Sequence, residues 1–413
     1  MPDSTTKKPR ILLAGAPFGR NHIGDEALVE CVVNLLRELR PDAEIWVSTD
    51  DQAATRKKLD VMTYPLFGFD PPGFDPVSMR QGIRDSDAFI WSSATGLSAA
   101  SNVPLELLQH AIDLGKTTAV FCTAMNDEPA PALDERRPNK QHILFDLLKQ
   151  LTFGRIDLDE AFERKRIEAT HSTMKRTLPK TNLVILRDAQ SKAQLSQILG
   201  ETAAIHLASD PVITLACPDI DRCRFPDATL RCLERNQPKI GLCLSADPVA
   251  KHMSALQERF GQLISERGVK LVGIPANPLI DTAFLNEFRQ GLTHPNEMHI
   301  IEGTYEPDEI NAAISRMDVV VSSRLPLLTL ASITLTPFVG IGGGAQVTEF
   351  TGQFGLPDLG NVEELDVGQL SDEILRLMDH RAAFRSTAKT IRLEMLNRLK
   401  EAKGQLKALL SEL

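Results

Sequence analysis

Short apolar runs alternate with amphipathic stretches along most of the chain, so the pattern swings between continuous burial and a period of 3.6. Ile11-Leu12-Leu13-Ala14 reads as a buried strand, and Asp25 to Leu39 as a helix with Leu28, Val32, Leu35, Leu36 and Leu39 on one face. Ile45-Trp46-Val47 and Ala88-Phe89-Ile90-Trp91 predict further strands, and Pro104 to Leu114 a helix stopped by Gly115. Thr118 to Cys122 and Leu183 to Leu186 continue the series. Strands this apolar are covered on both faces, as in a parallel sheet built from βαβ units.

Two segments interrupt the rhythm. Residues 126–180 are charged and carry Pro129, Pro131 and Pro138. They read as a solvated helical insertion, with helices over 140–150 and 158–176; a lid or a partner-binding arm is the alternative. Residues 217–238 hold Pro218, Pro226 and Pro238 between charges and read as a linker. The alternation then restarts with strands at Ile240–Leu244, Lys270–Ile274, Met298–Ile301, Asp318–Ser322 and Pro337–Ile341. Helices are expected near 250–266, 281–290 and 307–315 and from 326. The expected architecture is α/β, with two Rossmann-like domains facing across a cleft. The first covers 1–216 and the second 239–382; a helix over 383–413 is long enough to reach back across them. Ligands would sit at the carboxyl ends of the strands.

Composition narrows the function. The chain has 413 residues, 42% hydrophobic and 24% charged, as expected of a globular protein with ample core. Lys plus Arg is 46 against 55 Asp plus Glu, a net charge of −9, which argues against a nucleic-acid partner. Aromatic residues are only 5%, so a sugar ligand would be held by polar and charged groups rather than by stacking. The six cysteines form no CxxC, and no His completes a zinc set around Cys217, Cys223 and Cys232, which points to reduced thiols. The first ten residues are short and polar with no signal h-region, and no run approaches the ~18 apolar residues that span a bilayer. A cytoplasmic protein, at most peripheral to a membrane, is expected.

Four segments carry candidate chemistry. The first strand runs into Gly15-Ala16-Pro17-Phe18-Gly19-Arg20-Asn21-His22-Ile23-Gly24-Asp25-Glu26. Its glycines let a phosphate approach backbone N–H groups, although the spacing is neither GxGxxG nor a Walker A loop. His22 and Asp25 are candidate bases or ligands of an acceptor hydroxyl; a helix cap is the alternative for Asp25. Arg187-Asp188 follows a strand and opens a helix, with Asp188 as a cap and Arg187 placed to meet an anion. Ser322-Ser323-Arg324-Leu325-Pro326 does the same in the second half, where serine hydroxyls, helix amides and Arg324 make an anion site or Arg324 pairs with a carboxylate. Gly342-Gly343-Gly344 permits close backbone approach by a ligand or a tight strand–helix turn.

In this order and spacing the segments resemble the polysaccharide pyruvyl transferase family. The family's N-x-G-D-E-A is similar to His22-Ile23-Gly24-Asp25-Glu26-Ala27, its R-D before a Ser-containing helix to Arg187-Asp188 through Ser191, and its D-P to Asp210-Pro211. Its S-x-R-L-H is similar to Ser322-Ser323-Arg324-Leu325-Pro326, and its V-P-F-V-G to Thr336-Pro337-Phe338-Val339-Gly340. The resemblance implies a glycosyltransferase-B-like fold and transfer of pyruvate from phosphoenolpyruvate, as a ketal, to a sugar of a cell-surface polysaccharide or its precursor. It implies no metal and no cofactor beyond that donor, a small-molecule donor and a sugar acceptor, free or lipid-linked, as partners, and no fixed oligomeric state. Taken together, the segments and the resemblance put His22, Asp25 and Arg324 in catalysis and Arg187, Ser322, Ser323, Gly343 and Gly344 on the substrate, with Arg187 and Arg324 clamping the donor's carboxylate and phosphate.

The chain departs from the family at four loops. Pro326 stands where the family has a His that helps phosphate leave, and His22 where it has Asn. Ser92-Ser93-Ala94-Thr95-Gly96 and Cys122-Thr123-Ala124-Met125-Asn126-Asp127 replace glycine-rich turns. His22 and His299 are the candidates for a replacement acid, although His299 sits in a strand and reads as a core histidine. Two alternatives stay open: a nucleotide-sugar glycosyltransferase with Glu302 or Glu349 on the ribose, and a non-catalytic relative that binds an anion.

Overall fold

A computed structural model describes residues 8–66, 76–93, 97–98, 103–126, 158–200, 204–245, 249–342, 344–360 and 364–413. The chain divides into two compact units: Met1–Arg20 with Val32–Asp210 and Arg398–Leu413, and Asn21–Cys31 with Pro211–Asn397.

The first unit holds β1 (Arg10–Ala14), the C-terminal part of α1 (Ile23–Leu39) from Val32 on, β2 (Glu44–Thr49), α2 (Gln52–Leu59), β3 (Met62–Pro65), α3 (Pro76–Asp85) and β4 (Ala88–Trp91). It continues with β5 (Leu97–Ser98), α4 (Val103–Asp113), β6 (Thr117–Thr123), β7 (Met125–Asn126), α5 (Leu158–Thr177), β8 (Leu183–Leu186), α6 (Ala189–Leu199) and β9 (Ile205–Leu207). Seven strands form a parallel sheet in the order β3-β2-β1-β4-β6-β8-β9; β5 and β7 pair separately. Every residue of β4 and β8 is buried, as the unbroken apolar runs require of strands covered on both faces. The order runs outward from β1 in both directions, so the topological switch point lies between β1 and β4.

The second unit holds α7 (Asp227–Glu234), β10 (Lys239–Cys243), α8 (Met253–Arg267), β11 (Lys270–Gly273), α9 (Pro278–Gln290), β12 (Met298–Ile300) and α10 (Pro307–Ile314). It continues with β13 (Val319–Ser322), α11 (Leu325–Ile333), β14 (Phe338–Gly340), α12 (Gly344–Gln353) and α13 (Val367–Asp379). The five parallel strands run β12-β11-β10-β13-β14, with the switch point between β10 and β13. The last helix, α14 (Arg381–Leu410), is divided, with residues to 397 counted in the second unit and those from 398 in the first.

Several expectations shift. Helix α1 starts at Ile23, not Asp25, since the Glu26 N–H already bonds the His22 carbonyl at 3.0 Å. Strands β3 and β9 are absent from the sequence reading; each is short, at an edge of the sheet, and lacks a long apolar run. The expected linker over 217–238 contains a 3-10 turn at Ile220–Arg222 and helix α7. The helix expected at 158–176 is α5, whereas the one at 140–150 lies outside the described residues.

Arg224, beside that turn, wraps Glu309 of α10, giving it a backbone N–H at 2.7 Å and guanidinium bonds at 3.1 and 2.6 Å. Burial alone would raise the Glu309 carboxyl, but the Arg224 side chain and two backbone amides outweigh it and hold the group below its ordinary 4.5. A depressed carboxyl contributes stability that is fully present above the unfolded value and is lost as pH falls through the folded one. Arg224→Ala is therefore expected to cost about 1–2 kcal/mol at neutral pH, a modest figure because the guanidinium is largely exposed. The cost should shrink towards zero in strong acid, and urea unfolding at the two pH values checks it.

Cys122 is completely buried yet has φ +51°, at the irregularity between Phe121 and Thr123 where β6 pairs with β8. A side chain in this left-handed region is strained, and the family resemblance places a glycine-rich turn here. Cys122→Gly is expected to equal or exceed Cys122→Ala in stability, by up to about 1 kcal/mol, the reverse of the usual order within a strand. Paired chemical melts of the two variants decide it.

Candidate functional site

The second unit's switch point is built from the carboxyl ends of β10, β11 and β13. Strand register places Cys243 beside Ser322, so Leu244-Ser245 and Ser323-Arg324 leave the sheet side by side. The serines shape these exits. Ser322 Oγ accepts the Arg324 N–H at 2.9 Å and donates to the Arg324 carbonyl at 2.8 Å. Ser323 Oγ accepts the Ser245 N–H at 3.0 Å and lies 3.0 Å from its hydroxyl. Both hydroxyls thus brace backbone. Arg324 is the N-cap of α11, with extended backbone, and Pro326 follows in the first helical turn, where no N–H is needed.

The guanidinium of Arg324 is held from below. After β11 the chain turns through Asn277, whose side chain caps α9 by accepting the Leu279 N–H at 3.1 Å. One turn on, Asp281 is 1% exposed. Its Oδ2 accepts N–H bonds from Ala276 at 3.0 Å and Asn277 at 2.8 Å, and its Oδ1 accepts Arg324 Nη2 at 3.2 Å. Arg324 is about one-third exposed, and its buried Nε has no hydrogen-bond partner among the described residues. Burial, and then the Asp281 charge, push the nearby Cys243 thiol up to about 12, so it is neutral. Asp281 belongs to no motif read in the sequence. The Asn-Pro pair at 277–278 is the available signal, since it marks a helix start shortly after a strand and places Asp281 in the helix's first turn.

The N-terminal motif joins the same site. Residues 21–31 are counted with the second unit, and the Ile23 N–H donates to the Ala276 carbonyl at 3.0 Å. Gly24 faces Pro326 so closely that a Cβ there would stand 2.6 Å from Pro326 Cγ and 3.4 Å from His22 Cε1. His22 Nδ1 and Asp25 Oδ2 are 2.9 Å apart. The two atoms are close without hydrogen-bond alignment, and neither Nδ1 nor the other Asp25 oxygen has a hydrogen-bond partner among the described residues. Asp25 is 4% exposed, in the first turn of α1, where its charge complements the helix dipole. A buried carboxylate oxygen keeps its capacity to accept a hydrogen bond.

The other expected residues have contacts of their own. In the first unit Arg187, at the end of β8, donates Nη1 to Asp210 at 2.8 Å, joining the R-D and D-P segments. Asp188 is the N-cap of α6, accepting the Ser191 N–H at 2.6 Å. Gly343 lies outside the described residues; Gly342 and Gly344 both have positive φ, +55° and +69°, and turn the chain from β14 into α12. His299 Nε2 is 2.9 Å from Thr229 Oγ1, a half-buried and satisfied histidine. Burial first, and then Lys270, lower its affinity for a proton. Glu302 is exposed and Glu349 half-buried on α12.

Residues 162–344 match the model of the family described as Polysaccharide pyruvyl transferase. The matched span contains Arg187-Asp188, Asp210-Pro211 and Ser322 to Pro326. No curated protein matches the chain. Among solved structures the chain is similar to S. aureus MnaA bound to UDP, at 10% identity over 95% of this chain and 96% of that one, with a TM-score of 0.60. It is similar to UDP-GlcNAc 2-epimerase from Neisseria meningitidis bound to UDP-GlcNAc, at 10% identity over 98% and 100%, with a TM-score of 0.58. It is also similar to Anabaena HepE in complex with UDP and glucose, at 13% identity over 98% and 100%, with a TM-score of 0.56. At these identities the likeness is one of fold, and the fold is of the glycosyltransferase-B type. Among the described residues, no helix is long and apolar enough to cross a membrane.

Proposed function

We propose that this protein is a ketal pyruvyltransferase that takes pyruvate from phosphoenolpyruvate and joins it to two hydroxyls of one sugar in a surface polysaccharide or its precursor. The supporting observation is that the His22–Asp25 segment and Arg324, 300 residues apart in sequence, meet around Gly24, Pro326 and Ala276. In this reading Arg324 and the α11 N-terminus hold the donor's anionic groups. Asp25 accepts a sugar hydroxyl, and His22 moves the proton that the residue at 326 cannot. Both hydroxyl oxygens bond to the donor's central carbon as its bond to phosphate oxygen breaks. One hydroxyl proton ends on the methylene carbon, which becomes methyl, and the other leaves with phosphate or solvent. A cytoplasmic setting and an acceptor that is free or lipid-linked belong to this reading.

The test is phosphate release from phosphoenolpyruvate with sugars whose hydroxyl pairs can close a five- or six-membered ketal ring. Turnover dependent on both substrates supports the proposal. Neither turnover nor binding of phosphoenolpyruvate, together with tight binding of UDP, overturns it in favour of a nucleotide-sugar enzyme.

A further inference from the structure

The structure assigns Asp281 a role that no motif announces: we infer that it is the positioning residue that fixes Arg324 and the His22 segment relative to each other. The inference rests on the functional reading above for its kinetic consequences but not for its geometry. Asp281 splits its two oxygens between two tasks. Oδ1 takes the Arg324 guanidinium, and Oδ2 takes the amides of Ala276 and Asn277. Ala276 in turn offers its carbonyl to the Ile23 N–H, next to His22. One carboxylate thereby sets the guanidinium directly and the imidazole-bearing segment through a single peptide unit.

Burial makes this arrangement stiff. The Asp281 side chain is 0% exposed, so no water competes for its oxygens, and a charge placed there must keep its partners. Arg324 is constrained at its other end as well, since Ser322 bonds both its N–H and its carbonyl. With Nη2 committed to Asp281, Nε and Nη1 carry no hydrogen bond among the described residues. A planar fork held on one side presents its exposed edge in a fixed direction, which suits a compact anion and lowers the ordering cost of binding it.

Asp281→Asn keeps an oxygen for the two amides but turns an NH2 group or a weaker acceptor towards Arg324; Asp281→Ser keeps a small acceptor for the amides and loses the guanidinium contact. Each would be measured alone and combined with Arg324→Ala, by phosphate release from phosphoenolpyruvate and by solvent exchange of the Arg324 Nε–H in 15N spectra. We expect each Asp281 variant to lower kcat/KM to within about threefold of Arg324→Ala, and the double variants to be no worse than Arg324→Ala, because a residue acting through another has nothing further to lose. The Nε–H signal should exchange faster in both Asp281 variants. Effects that multiply with Arg324→Ala, or unchanged Nε–H exchange, would overturn the inference. A parent chain inert towards phosphoenolpyruvate would instead defeat the functional reading, and the exchange measurement would still decide the role of Asp281.

Discussion

Replacing Arg324 with alanine is expected to lower phosphate release from phosphoenolpyruvate by about 10²–10³-fold, the usual cost of deleting a fixed donor that meets developing charge. The expectation comes from where this guanidinium sits. It leaves the sheet at the switch point, its backbone is braced by Ser322, and among the described residues it is held by a buried carboxylate, Asp281. Arg324→Lys should lose most of the same activity, since a single ammonium cannot hold Asp281 and present a fork at once. Some stability is lost as well, because Asp281 keeps its two amides but not its counter-charge. Steady-state kinetics beside urea melts separate the two losses. Activity within about threefold of the parent would remove Arg324 from the chemistry.

Gly24→Ala is the second large effect. A methyl group there overlaps Pro326, whose Cγ and Cβ would stand 2.6 and 3.0 Å away, and neither can swing aside as a flexible side chain would. The first turn of α1 must then move off α11, carrying His22 and Asp25 with it. Overpacking of this kind costs about 1–3 kcal/mol, and activity should fall further than stability because the displaced groups are the ones nearest the site. Pro326→Ala in the same chain removes the nearer clash and should restore part of both. Thermal melts and phosphate release on the single and double variants test this; equal behaviour of Gly24→Ala and parent would mean that the two helices are not held this closely.

The fold was largely legible because its central strands are written as unbroken apolar runs, such as Ala88 to Trp91 and Val319 to Val321, which few other structures need. Edge strands β3 and β9 escaped, since a strand at a sheet margin buries fewer of its residues. Arg324 was legible through its place between a strand and a helix. Asp281 was not, because pairing across 43 residues leaves no local spacing to read. The serines of the same motif bond the turn itself, a role that local spacing does not reveal. Arg187 likewise has its explanation in Asp210, a partner that the two separate motifs named without joining.

The division of the chain has a consequence for its synthesis. The second unit draws on residues 21–31 and on residues to 397, and the first unit on residues 398–413. Neither can close while the ribosome is still partway through the chain. The Ile23–Ala276 bond must wait for more than 250 residues of intervening polypeptide, and such long-range closures are the slow steps of folding. The nascent N-terminal sheet therefore emerges with the first turns of α1 lacking their packing partners, a natural point of call for a chaperone and a place where a translational pause would be costly.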